Sequence, residues 1–139
     1  MLKVDHIGIA VKSLAVSNPL FEKLLGIAPY KSETVEAEGV TTSFFRIGET
    51  KIELLEAAGE SSVIKKFIEK RGEGIHHIAF EVSDIHAEKK RLEDLGFIVL
   101  NEPRPGADNK LVCFLHPRST NGVLIEICQE ITSGGEPLV

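Results

Sequence analysis

The chain repeats itself. VDHIGIAV at residues 4–11 returns as IHHIAFEV at 75–82, and the segments after the two copies match in spacing as well. His6 stands 20 residues before Gly26 of FEKLLGI, and His77 stands 19 before Gly96 of LEDLGF. KIELLE places Glu53 47 residues after His6, while VLIEIC places Glu126 49 residues after His77. A repeat at this scale constrains the fold more than local propensity does, because each copy must be one supersecondary unit that buries its apolar face with the help of the other.

Each copy reads as a strand, a helix and then strands. Residues 4–11 alternate, so His6, Gly8 and Ala10 share one face and Ile7, Ile9 and Val11 the other. Residues 17–25 predict a helix with Ser17 or Asn18 as N-cap, Pro19 in the first turn and Gly26 as its stop. Strands are expected near 30–35, 41–47 and 51–56, the last two joined by the GET turn. The second copy predicts a strand over 76–82, a helix over about 85–95 capped by Asp84, and strands near 97–100, 111–116 and 123–129. TNG at 120–122 supplies its last turn. Between the copies, serine caps and an apolar stripe of Val63, Ile64, Phe67 and Ile68 predict a helix near 61–71.

The expected fold is therefore α+β: two tandem βαβββ modules, about 1–60 and 74–130, with curved mixed sheets around a central site. Together they make one domain over 1–130, followed by a short tail at 131–139. A lone four-stranded module would leave a sheet face and its edges bare, so the copies should pair.

Charge and cysteine usage narrow the class of partner. The 139 residues carry a formal charge of −5 with no basic stripe, which argues against a nucleic-acid partner. Cys113 and Cys128 sit in apolar runs without CxxC spacing and read as buried thiols in a reducing compartment. Asp5 and His6 precede any signal-peptide core, and no 18-residue apolar run is found after them, so a soluble cytoplasmic protein without membrane contact is expected.

The chemistry rests on four residues. A histidine on a half-buried strand is ordinary, and strand alternation alone could turn a glutamate to solvent. Glu53 and Glu126, however, lie inside the apolar runs Ile52–Leu54 and Ile125–Ile127, and each repeats in step with a histidine. An unpaired buried carboxylate costs several kcal/mol or surrenders its charge, so each needs a cation or a metal. Strand parity matches His77, not His76, with His6. His6, Glu53, His77 and Glu126 form a nitrogen and oxygen donor set without thiolate, which suits a six-coordinate divalent ion with open positions: cobalt, manganese, nickel, zinc or iron.

The paired modules with His, Glu, His and Glu in order resemble the vicinal oxygen chelate superfamily. Within it, DHIGIAVKSL, KIELLE, EKRGEGIHHIAFEV and FLHPRSTNGVLIEICQ resemble the methylmalonyl-CoA epimerase family over most of residues 5–129. The resemblance implies the same four metal ligands, an acyl-CoA substrate, a homodimer, and interconversion of (R)- and (S)-methylmalonyl-CoA by removal of the α-proton to give a metal-stabilised enolate. Such a reaction needs an acid/base group on each face of the carbon, and Glu126 is the candidate for one. Some members carry a second glutamate in the strand after EGV. Here that strand begins with Thr41 and Thr42, which leaves Glu36, Glu38 or a water. The loop EPRPGADNK at 102–110 resembles the family's segment near the substrate carboxylate, with Lys110 and His116 as candidate substrate contacts. Glyoxalase I chemistry on a glutathione hemithioacetal, a metal-free binding module of the drug-resistance type and an extradiol dioxygenase are the alternatives within the superfamily.

Overall fold

The computed structural model describes residues 1–131; the rest of the tail expected at 131–139 lies outside the described residues. The chain divides into two compact units, His6–His76 and Met1–Asp5 together with His77 onward, so the division falls inside two strands, β1 (Lys3–Ala10) and β5 (Gly74–Glu81).

In the His6–His76 unit, helix α1 (Leu14–Leu25) succeeds β1, then come β2 (Lys31–Val35), β3 (Val40–Ile47), β4 (Thr50–Ala57) and helix α2 (Val63–Arg71). The strand order is β2-β3-β4-β1. The β1/β4 pair is parallel and the others antiparallel. Helix α1 covers one sheet face, where Leu14, Phe21 and Leu25 pack on Val11, Phe45 and Leu54. Helix α2 covers one end of the other face, with Ile64, Phe67 and Ile68 against Ala10, Val40, Leu55 and Ala57. Ser62 caps α2 by accepting from the Ile64 amide at 3.1 Å.

In the other unit, β5 leads to helix α3 (Ile85–Asp94), β6 (Arg104–Pro105), β7 (Lys110–Leu115) and β8 (Ile125–Glu130), in the order β5-β8-β7-β6. The β5/β8 pair is again parallel. Ile85 and Leu92 of α3 pack on Cys113, Leu115 and Ile127, and Asp84 caps the helix through the Ala87 amide at 3.1 Å. Cys113 and Cys128 are buried and form no disulfide. Burial pushes the Cys113 thiol up to about 11.

Two expectations are corrected. Helix α1 begins at Leu14, not near residue 17, which puts Pro19 inside the helix. The missing Pro19 amide leaves the carbonyl of Ala15 without its helical donor, and both residues are exposed, so water can serve that carbonyl. Glu56 compensates at the start by accepting from the Leu14 amide at 2.7 Å. Residues 97–100 form no strand; they contribute a single bridge, Val99 to Leu115, with bonds from Leu100 to Phe114 and from His116 to Ile98. The edge strand is the two-residue β6, inside the segment read as a loop at 102–110. Pro103 and Pro105 lack the amides that a longer strand would need. Among the described residues no helix is long and apolar enough to cross a membrane.

Candidate active site

Each unit builds one buried histidine–carboxylate pair by the same strand placement, although His6 presents Nδ1 and His77 Nε2. In the His6–His76 unit, β4 sets Glu53 between Gly8 of β1 and Phe44 of β3. His6, two residues before Gly8, shares their face, and its Nδ1 lies 3.2 Å from Glu53 Oε2. In the other unit, β8 sets Glu126 between Ala79 and Phe114, and His77 Nε2 lies 3.3 Å from Glu126 Oε1. All four polar residues are only 5% or 6% exposed. The small residue in each row leaves space above the carboxylate, and the phenylalanine closes its other side. The Phe114 ring meets the His77 ring edge-on, with centroids 6.0 Å apart.

The donor atoms fit a divalent cation. Two ligands each about 2.1 Å from one ion lie about 3.0 Å apart at a right angle and about 3.4 Å apart at a tetrahedral angle. Both separations fall in that window. One nitrogen and one oxygen per pair, without sulfur, match manganese, iron, cobalt, nickel or zinc.

His76 occupies the other parity and serves packing. Its ring stands edge-on to Phe67 of α2, with centroids 5.0 Å apart, and burial lowers its pKa to about 4. The ring is neutral at pH 7.

The two candidate substrate contacts differ. Lys110 is 5% exposed, and its Nζ lies 3.2 Å from Asp5, 3.4 Å from Glu130 and 3.5 Å from Glu81. Burial opposes its charge, but Asp5 and Glu130 more than offset this and hold the ammonium above the ordinary lysine range. His116 caps the turn at Pro117–Ser119, its Nδ1 accepting from the Arg118 amide at 2.9 Å. A neutral imidazole that accepts at Nδ1 carries its proton on Nε2, so His116 retains one donor.

Thr42 is 1% exposed and lies in the β3 register between Leu55 and Glu33, on the face of Glu53. Glu36 and Glu38 form the 3-10 turn that precedes Gly39. The sequence reading gave no place to two residues. Glu33 is brought to the site face only by the β2/β3 register, a nonlocal fact. Lys51, buried and the register partner of His6, was signalled by period two, which puts it with Glu53.

Known proteins share this framework. The model of the Glyoxalase/Bleomycin resistance protein/Dioxygenase superfamily matches residues 5–114. The ethylmalonyl-CoA/methylmalonyl-CoA epimerase of Cereibacter sphaeroides is 42% identical over 130 residues, spanning 91% of this chain and 97% of that protein. A hypothetical protein from Bacillus halodurans has a crystal structure that superposes with a TM-score of 0.91 at 46% identity, covering 94% of this chain and 96% of the other. A variant of Streptomyces coelicolor methylmalonyl-CoA epimerase, in complex with 2-nitronate-propionyl-CoA, superposes with a TM-score of 0.91 at 34% identity, covering 95% and 99%. The tandem βαβββ fold read from the repeat is the fold of these proteins. The chain belongs to the glyoxalase/bleomycin resistance protein/dioxygenase superfamily and, within it, to the methylmalonyl-CoA epimerase family.

Proposed function

We propose that the protein is a metal-dependent epimerase that interconverts (R)- and (S)-methylmalonyl-CoA as a cytoplasmic homodimer. The observation that carries this reading is the duplicated buried pair, His6 with Glu53 and His77 with Glu126. Neither pair alone supplies enough protein ligands for a stable ion, whereas the four together supply a typical set and leave positions for substrate oxygens. When bound, the ion supplies Lewis-acid stabilisation for negative charge on the thioester and carboxylate oxygens. The ligand seen with the Streptomyces relative agrees with that chemistry: a 2-nitronate carbon is planar and spreads its charge over flanking oxygens, as the enolate of a 2-carboxyl thioester does.

Glu126 takes the α-proton on one face or returns it there, as the buried carboxylate that faces His77. For the other face the chain offers an acidic stretch in place of the family glutamate: Glu33, register partner of Thr42, with Glu36 and Glu38 in the next turn. His116 donates through Nε2 to the substrate carboxylate. Lys110 would reach substrate only by leaving its carboxylates, so its part is to hold Asp5, the residue before His6. Phe44 and Phe114 keep water from the reacting carbon.

Solvent deuterium entering the α-carbon of methylmalonyl-CoA, tracked by NMR with and without chelator, tests the reading. Exchange that stops on chelation and returns with metal is expected. Turnover of a methylglyoxal–glutathione adduct without any such exchange would replace this reading with glyoxalase chemistry.

A further inference from the structure

Acyl-CoA brings three phosphate groups to a chain with a formal charge of −5, so its nucleotide end must meet a local cation cluster. Several lysines and arginines are already committed elsewhere. Lys65, Lys89, Lys90 and Arg91 are tied to carboxylates along their own helices, and Lys110 is buried among three. One cluster differs. Arg46 stands over the Tyr30 ring at 5.0 Å, and Lys31 over the Phe44 ring at 5.0 Å. The two rings lie 5.7 Å apart. Lys31 shares its charge with Glu33 at 3.3 Å, whereas Arg46 has no carboxylate partner among the described residues. The Tyr30 ring is reachable, since the residue is 41% exposed.

The register places this cluster relative to the His6–Glu53 pair. Arg46, Lys51 and His6 form one row across β3, β4 and β1, and Lys31, Phe44, Glu53 and Gly8 form the next across β2, β3, β4 and β1. Residues in a row share a face, and strands stand about 4.8 Å apart, so Arg46 lies about 10 Å and Lys31 about 14 Å from the β1 end of its row. From the thioester sulfur to the first phosphorus, the pantetheine arm spans roughly thirteen bonds, an extended reach of about 15 Å by ordinary chain geometry. The extended arm is long enough to span either row.

We propose that Tyr30, Lys31 and Arg46, seated on Phe44, bind the adenosine phosphate end of the CoA substrate. Arg46 and Lys31 take phosphate oxygens and Tyr30 stacks on adenine. Lys51 lies between this subsite and His6, on the path of the pantetheine arm. The proposal rests on the epimerase reading for its substrate, but binding can be read without turnover.

The test compares methylmalonyl-CoA with methylmalonyl-pantetheine, which lacks the nucleotide, in wild type, Arg46→Ala and Tyr30→Ala, with thermal melts as a fold control. Remote binding energy that serves catalysis should make each variant lose about tenfold in kcat/KM for the CoA ester while changing the pantetheine ester by less than about twofold. Equal losses on both esters, or no loss on either, would overturn the subsite. If wild type exchanges neither ester, NMR titration with adenosine 3′,5′-bisphosphate separates the two failures. Shifts at Tyr30, Lys31 and Arg46 that vanish in Arg46→Ala keep the subsite and reject the epimerase reading. Absence of binding at these residues rejects the subsite.

Discussion

The two modules match at the site and part company four residues away from it. Counting four residues along the strands from His6, Glu53 and Phe44 reaches Ala10, Ala57 and Val40, which α2 buries with Ile64, Phe67 and Ile68. The same steps from His77, Glu126 and Phe114 reach Glu81, Glu130 and Lys110, where the two carboxylates and Asp5 gather around the Lys110 ammonium. Only one linking helix exists among the described residues, so only one module can cover this position with an apolar helix. The other fills it with charge, and Lys110 is left to compensate three carboxylates. A duplicated fold thus keeps what the chemistry needs twice and differs where the chain's connectivity differs.

Six substitutions, in four experiments, break or sharpen that comparison. The largest effect is expected from Glu126→Gln set against Glu53→Gln. The two are equivalent as ligands but not as acid/base groups, so Glu126→Gln should slow α-proton exchange by about 10³-fold or more, well beyond its effect on metal binding. Equal losses in the two variants would make Glu126 a ligand only. Lys110→Ala should destabilise the fold by about 3–5 kcal/mol in denaturant titrations, because Asp5, 1% exposed, loses the ammonium that lies 3.2 Å away.

The third change concerns pH. His76 titrates near 4 when folded against an ordinary 6.5, so the unfolded chain binds its proton first as pH falls. The contribution of a neutral His76 is therefore fully present above pH 6.5 and is lost progressively down to about pH 4, by up to about 3 kcal/mol. His76→Asn should flatten that part of the stability profile, as read from melts across the range. The smallest effect separates the two helix starts. Asp84→Ala should cost about 1 kcal/mol, whereas Ser13→Ala, whose side chain makes no cap bond, should cost only a few tenths.

The range of each interaction decided whether the sequence revealed or concealed it. The repeat and period two reached the site directly, because His6 with Gly8 and Ala10, and His77 with Ala79, are positions within single strands. The caps Ser62 and Asp84 were legible for the same reason, since each bonds an amide only two or three residues on. The start of α1 was hidden because the group that serves its first amide is Glu56, far along the chain. The burial of Lys110 was hidden likewise, as it depends on Asp5 at the opposite end of the sequence. The apolar residues of 97–100 suggested a strand, but only Val99 forms a bridge there, and the regular pairing with β7 falls at Arg104 and Pro105.

The proposed function requires His6, Glu53, His77 and Glu126 to act as one ligand set. Calorimetric titration of the metal-free protein with Mn(II) or Co(II) tests it most directly, in wild type, His6→Ala and His77→Ala. The account predicts one ion per chain in wild type and a loss of affinity of about tenfold or more for either substitution. Two independent ions per chain, or a single ion indifferent to one of the two histidines, would contradict it.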